Sequence, residues 1–451
     1  MHKASKKCGT FSNRCFIVVA VLIAVIFLTI PILKTARASD SRPVVAYSGT
    51  YLAGGKNSEK NYPVFNRNKA QLSSSVKSIM ERLNADKLLP FDIISETDVE
   101  SRKWEIGSAY SLAVIVTRDD VYSEKYETSV AAIYKTIVNI GLVVIIYQTG
   151  EDVYGNKRNT IISSVPLTGY SMNLQGKQKL SDAEIDELFI RTATATLEEH
   201  LSKRLAKISI SDTNGIVRDV GDGKAVINIG ALNGLVEGQN VRFIKDGKKV
   251  ASGRIEQLRK TEAVVKVETK GFMPQKDTAV SASIIKGVSA ESYQVTSFKI
   301  SSKNASQVFS ENVIGPQVAQ WFSDYLSERT GKVVLPSRIG GEWDVSSTEA
   351  AFMLLMKDGE EHRFEMPPPK YPIALDLTGM SGRRIEGNKI NEIWMYKVWL
   401  KVEIPAKSYS REFESYGTKN TVPGVQFFQE KDEFFDLLHQ LTAKIPLEGE
   451  L

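Results

Sequence analysis

Residues 226–243 read VINIGALNGLVEGQNVRF, with Gly230, Gly234 and Gly238 at every fourth position. That spacing admits a phosphate-binding loop, a glycine seam on a helix, or a series of β-turns. A phosphate loop opens a helix and commonly ends in Lys followed by Ser or Thr, because free helical N–H groups and an ammonium hold the anion together. Here Gly238 is followed by Gln239, Asn240 and the strand-like VRF. A glycine seam needs an unbroken apolar helix, and the pairs Asn233-Gly234 and Glu237-Gly238 interrupt one. The turn reading remains. Gly230, Gly234, Gly238 and Asn233 are expected to be structural turn residues, with the glycines supplying positive φ.

Outward from this stretch the pattern stays β. VINIG is β-branched, VRFIKDGKKV reads as strand, Asp246-Gly247 hairpin and strand, and SGRIEQL and AVVKVE alternate as two more strands. Short strands packed this densely between about residues 209 and 287 predict a small SH3-like β-barrel module. On both sides helix and strand signals mix. In 43–208, PVVAYSGTYL, Phe91–Ile94, Leu112–Val116 and IISSVPL are strand-like, and Leu72, Val76, Ile79, Met80 and Leu83 have helical spacing. Ser181 and Glu184 form a capping box ahead of Ile185, Leu188 and Phe189. In 292–451 the order recurs: YQVTSFKI, a helix through Val318, Trp321, Phe322 and Leu326, then KVVLP, the alternating MYKVWLKVEI, and a last helix with Phe434 and Leu438. The expectation is an α+β multidomain chain in which two α/β units flank the β module.

The chain begins differently. Lys3, Lys6, Lys7 and Arg14 precede the uncharged run Phe16–Leu33, and Ala36-Arg37-Ala38 comes after it. This is a signal peptide cleaved after Ala38 or an uncleaved membrane anchor within residues 1–38; either exports the remainder of the chain. Six positive charges and no acids lie in that segment, so the +5 of the whole chain becomes −1 beyond it. Such a balance gives no electrostatic case for nucleic acid. Cys8 and Cys15 also lie there, leaving the exported part without disulfide or thiol nucleophile.

Candidates for chemistry are few. His2, His200, His362 and His439 show no metal-ligand spacing; His200 reads as a helix-surface residue and His362 as part of a solvated loop in KDGEEHRFE. Asp119-Asp120 after a strand are the acid pair that general acid/base work would use, against a plain strand-end turn. No G-x-S-x-G elbow occurs. We expect no catalytic residue, metal or cofactor. Association has better candidates. IVNIGLVVIIY (Ile137–Tyr147) is a central buried strand or else a membrane hairpin or subunit interface, which places Ile137, Val143 and Ile145 at a possible interface. Trp399 shares a strand face with Lys397, Lys401 and Glu403, an exposed sheet side or a partner surface.

Residues 215–256, GIVRDVGDGKAVINIGALNGLVEGQNVRFIKDGKKVASGRIE, resemble the β module of FlgT, the periplasmic flagellar H-ring assembly protein: a valine-rich strand, Asn-x-Gly, x-x-Gly-Val/Leu, x-x-Gly, then strand and turn. The flanking units are similar in element order to the FlgT middle domain, the curli secretion channel CsgG and the N-terminal domain of TolB. The resemblance implies a non-enzymatic, ring-forming or scaffolding protein of the cell envelope in the periplasm, outer-membrane associated or anchored in the inner membrane by a retained leader, with protein partners and a homo-oligomeric ring. A flagellar motor is the first machine it implies; a core complex of a type IV or curli-like secretion system is the alternative, and a periplasmic enzyme using Asp119 and Asp120 a further one. The chain departs from the pattern in carrying its β module between the α/β units and in lacking a lipobox.

Overall fold

The structure, a computed structural model, describes residues 43–56, 58–95, 110–127, 132–151, 157–175, 178–235, 237–285, 291–340, 343–344, 351–387, 392–421 and 430–445. The leader and the apolar run Phe16–Leu33 lie outside the described residues. Among those described, no helix is long and apolar enough to cross a membrane.

The first α/β half runs β1 (Val44–Ala53), α1 (Pro63–Ala85), β2 (Asp92–Ser95), β3 (Tyr110–Glu127), β4 (Ala132–Glu151), β5 (Lys157–Gln175) and α2 (Asp182–Thr196), the last continuing through a π-helical turn, Leu197–Leu201, into α3 (Ser202–Leu205). The Ser181–Glu184 capping box closes, with Ser181 N donating to Glu184 Oε2 at 2.7 Å and Glu184 N to Ser181 Oγ at 3.3 Å. One face of the sheet buries Leu112, Val114, Val116, Val138, Ile140 and Leu142 beneath α1 and α2. Even positions of β4 point that way, so the odd positions must bury against something else.

The second half runs β12 (Ser292–Ile300), α4 (Lys303–Val308), α5 (Glu311–Thr330), β13 (Val333–Val334), β17 (Tyr371–Gly387), β18 (Glu392–Ile404), β19 (Tyr409–Thr421) and α6 (Glu430–Lys444). Its sheet has the order β13-β12-β17-β18-β19, which matches β2-β1-β3-β4-β5 strand for strand and direction for direction. The irregularities match as well. Ser48 bulges out of β1 and its Oγ donates to Leu112 O at 3.0 Å; Thr296 bulges out of β12 and its Oγ1 donates to Ile373 O at 3.2 Å. Leu112 and Ile373 are the equivalent residues of β3 and β17, and the next bulges fall on Thr117 and Thr378.

A clean division into units at 43–208 and 292–451 needs one correction. Between β13 and β17 the chain forms β14 (Trp343–Asp344), β15 (Ala351–Lys357) and β16 (Glu360–Met366), and these belong to the first sheet, making it eight-stranded. β16 lies parallel to β5 and β15 antiparallel to β1. The strands β1, β3, β4, β5, β16 and β15 thereby close into a ring around Tyr51, Ile115, Val143, Ile145, Phe364 and Met366. Alternation identifies a strand without naming its partner, so a segment lent to the other sheet carries no sequence signature.

In the sequence between the halves, β6 (Ile210–Gly221), β7 (Lys224–Ile227), β8 (Asn240–Lys245), β9 (Lys248–Leu258), β10 (Ala263–Val267) and β11 (Ala279–Ile285) form a closed six-stranded barrel in the order β10-β7-β6-β11-β8-β9. KKV and SGRIEQL, read as two strands, are the single strand β9. The fold is thus a strand-rich α+β chain with a closed barrel in the middle of its sequence. Gly234 and Gly238 have φ of +82° and +76°. Gly230 departs from the expected positive φ: its φ is −144°, an extended conformation. It is held there by approach, because a Cβ would lie 2.4 Å from Arg259 O and 2.5 Å from Glu262 N. Asn233 completes the corner by accepting from Gly230 N at 3.0 Å.

Gly230→Ala is therefore expected to destabilise the protein by about 1–3 kcal/mol, since backbone must move to admit the methyl group. Gly221→Ala, where a Cβ meets nothing within 4 Å, is the control. Urea unfolding midpoints of the two variants check this.

Candidate functional site

The seam between the two halves gathers buried polar side chains whose partners lie more than 100 residues away in the sequence. α5 carries no charge from Asn312 to Ser323, and it is buried on both faces. One face packs Ile314, Val318, Phe322 and Leu326 into the second core. The other meets the first sheet with amides. Gln320 Nε2 donates to Leu142 O at 3.1 Å and Leu167 O at 3.0 Å. Trp321 Nε1 donates to Asn139 Oδ1 at 3.3 Å, and Gln317 Nε2 to Asp120 Oδ2 at 3.3 Å and to the Tyr122 hydroxyl.

Two charged pairs flank this layer. Arg204 is ion-paired with Asp324 and donates through Nη1 to Pro166 O at 3.2 Å and Asp324 O at 2.9 Å. Burial raises the carboxyl pKa of Asp324, opposed by the Arg204 charge and a 2.8 Å bond from Thr168 N. On α6, Asp436 accepts from Lys135 Nζ at 3.2 Å and from the Tyr170 hydroxyl at 2.7 Å. His439 stacks on Tyr170 with centroids 4.7 Å apart and meets the Trp321 ring edge-on at 4.9 Å. Burial lowers its pKa and the Asp436 charge raises it, the first being larger.

The acid pair of β3 is divided by this geometry. Asp119, only 5% exposed, faces α1 and its Oδ2 accepts from Val64 N and Phe65 N at 2.9 and 2.8 Å, capping the helix. Burial pushes its pKa up to about 7 against those bonds. Asp120 points the opposite way, to the seam, where Arg118 Nε lies 2.5 Å from its Oδ2. Consecutive strand residues face opposite sides of a sheet, so the two carboxylates share no substrate position. Arg118 also borders a small cleft, partly open to solvent, with Ala53, Thr117, Pro316, Ser337 and Met353.

The remaining sites disperse. His362 does not lie in a solvated loop: it sits on β16 and meets the Tyr51 ring edge-on at 5.5 Å. His200 approaches Glu199 at 3.8 Å on the helix surface. Among the described residues no three His, Cys, Asp or Glu side chains gather as metal ligands. Val143 and Ile145, candidates for a subunit interface, are 1% and 0% exposed inside the strand ring, and Ile137 is also buried; their apolar surface is consumed within the chain. Trp399 is half-buried on the outer face of the second sheet, its ring over Gly379 and 5.8 Å from Lys397 Nζ. Sequence reasoning missed Lys135, Arg204, Gln317, Gln320 and Asp324. The one available signal was the uncharged stretch of α5, since a helix without a charged face is covered on all sides.

No protein-family model and no curated protein matches the chain. Among solved structures, the PelC dodecamer of Paraburkholderia phytofirmans is similar at 12% identity in two crystal forms, over 35% of this chain and 87% and 86% of that one, with TM-scores of 0.16 and 0.15. A lipopolysaccharide binding protein is similar at 7% identity over 68% of this chain and 67% of its own, with a TM-score of 0.09. Likenesses at these scores define neither the fold nor the function of this chain.

Removing Arg204 leaves the Asp324 carboxylate buried without its cation. Arg204→Met is expected to cost about 3–5 kcal/mol, and Arg204→Met with Asp324→Leu to recover most of it; denaturant titration of the two checks this. His439 is held below its ordinary value of 6.5 in the fold, so the unfolded chain takes up its proton first as pH falls. Its contribution to stability is present above pH ~6.5 and declines below it. Replacing it with Gln is expected to flatten the loss of stability between pH 7 and 5, read from unfolding free energies across that range.

Proposed function

We propose that the chain is a non-enzymatic assembly component of a bacterial envelope machine, its two halves being CsgG/TolB-like α/β domains and its central barrel the SH3-like module of a FlgT-like protein. A periplasmic ring or ring support of a flagellar motor is the reading we favour. The observation that carries it is the disposition of Asp119 and Asp120: the acid pair best placed for catalysis caps a helix on one side and binds Arg118 on the other. The polar groups of the seam are likewise spent joining two α/β halves into one body. A chain that commits its chemistry to rigidity and keeps a long sheet face in solvent has the construction of a scaffold.

A secretion-system core complex could be assembled from the same domains. Photocrosslinking in intact envelopes followed by identification of the captured proteins separates the machines. The expected result is a ladder of self-crosslinks together with motor components. A monomer with no captured partner overturns the assembly reading. Asp119→Asn, which keeps an oxygen for Val64 N and Phe65 N, is expected to leave assembly in the cell unchanged; loss of function in a folded, fully assembled Asp119→Asn protein would favour the enzyme instead.

A further inference from the structure

The two halves have matching sheets, but among the described residues only the first has helices packed across its second face, leaving the edge at Met172 in solvent. In the first, the face bearing Asp120, Tyr122, Asn139, Ile137 and Tyr170 receives α5 and α6 of the second half. Ladder registers give the equivalent positions in the second sheet. Asp120, Asn139 and Tyr170 form one cross-strand row, and Ser381, Lys397 and Tyr416 form its counterpart. The row of Tyr122, Ile137 and Met172 corresponds to Arg383, Met395 and Thr418, and that of Arg118, Gly141 and Thr168 to Gly379, Trp399 and Glu414. Tyr170 is packed under His439, while its counterpart Tyr416 is 65% exposed.

This free face has the chemistry of a contact surface. Trp, Tyr, Met and Arg are the residues enriched in protein interfaces and their hot spots, and the Lys397 ammonium lies 5.8 and 5.9 Å from the rings of Trp399 and Tyr416 while pairing with Glu414 at 2.8 Å. The helix layer has a matching vacancy. α5 is covered on its second face by the first sheet, whereas the same side of α1 presents Ala70, Ser74, Lys77, Ser78 and Glu81 to solvent. Among the described residues there is thus one sheet-to-helix docking, and one sheet face and one helix layer stay exposed, the two halves of the same kind of contact.

We infer that the outer face of the second sheet, centred on Trp399 and Tyr416, docks the α1–α2 layer of a second copy of this chain. The contact is heterologous, so repetition propagates head to tail and closes into a ring when the rotation permits. This rests on the assembly reading above and names its surface.

The test uses the full chain with Cys8→Ser and Cys15→Ser. Chains carrying only Tyr416→Cys are mixed with chains carrying only Ala195→Cys, at an exposed position of α2, the counterpart of the α6 helix that covers Tyr170, and oxidised. In parallel Tyr416→Glu and Thr418→Glu, both at exposed positions, are examined by sedimentation with circular dichroism as the check on folding. Expected are a crosslinked dimer in the mixture but in neither chain alone, and a loss of at least tenfold in self-association for both Glu variants. A Tyr416→Cys dimer formed without the second chain would show a face-to-face contact and overturn the head-to-tail arrangement. Unchanged association of the Glu variants would overturn the surface while leaving the assembly reading standing. A wild-type chain that is monomeric in solution but crosslinks to a different envelope protein through Tyr416 would overturn the second copy as occupant. A wild type that neither self-associates nor crosslinks fails both.

Discussion

The strands β3, β4 and β5 are long, apolar on both faces and joined edge to edge, and much of the architecture answers the need to cover them. Own helices cover one face only, because α1 and α2 return on the same side of the sheet. The other face is met in two sections. At the end bearing Val143 and Ile145 the ribbon β15–β16 curls over and closes a ring. At the end bearing Asn139 and Tyr170, α5 and α6 lie across it. Both covers come from the second half, so the first half is complete only when the second is present. Free apolar area of that extent would otherwise drive non-specific association.

The polar character of the seam reflects the register it must specify. An apolar helix could rest on an apolar sheet at several registers, with little energy separating them. Gln320 reaching the carbonyls of Leu142 and Leu167, and Trp321 reaching Asn139, fix α5 at one register because displacement leaves buried donors without acceptors. The Thr117 bulge lies at this place: it shifts β3 by one residue against β4, between Val116 and Arg118. That shift puts Arg118 and Asp120 on the seam face and Asp119 beneath α1. The equivalent bulge at Thr378 puts Met380, not an acid, beneath the second helix layer, where it joins the core. One backbone device thus serves a polar cap in one half and an apolar contact in the other.

Much of this order was legible in the residues. Period-two and period-3.6 patterns located β1, β3, β18, α1 and α5 but not β16, whose KDGEEHRFE read as a solvated loop, or β19, and Ser181 with Glu184 marked the start of α2; the signals that worked are local, each residue reporting its own environment. The central barrel was legible from turn dipeptides for the same reason. Gly230 shows the limit of that reasoning: glycine is equally demanded by positive φ and by a neighbouring backbone, and only the approach of Arg259 and Glu262 from a distant turn distinguishes the two. The lending of β15 and β16 to the first sheet, the partners met by Asp119 under α1 and by Asp120 at the seam, and the pairing of Arg204 with Asp324 are all relations between distant segments. The candidate site consists almost wholly of such relations, which is why it was scarcely visible.

Two sheets with one topology in a single chain also constrain what the unshared features can mean. Where the halves agree, as in the Ser48 and Thr296 bulges, the feature belongs to the fold and carries no information about function. Where they differ, the difference marks a use. Tyr170 and Tyr416 occupy equivalent positions, and the first lies under α6 while the second stands in solvent beside Lys397 and Glu414. A tyrosine retained where burial no longer requires it, beside a half-buried tryptophan that fills the space above Gly379, places apolar surface where the fold itself has no demand for it. The seam shows what such a surface accommodates in this topology, since the same rows of the first sheet already hold a pair of helices.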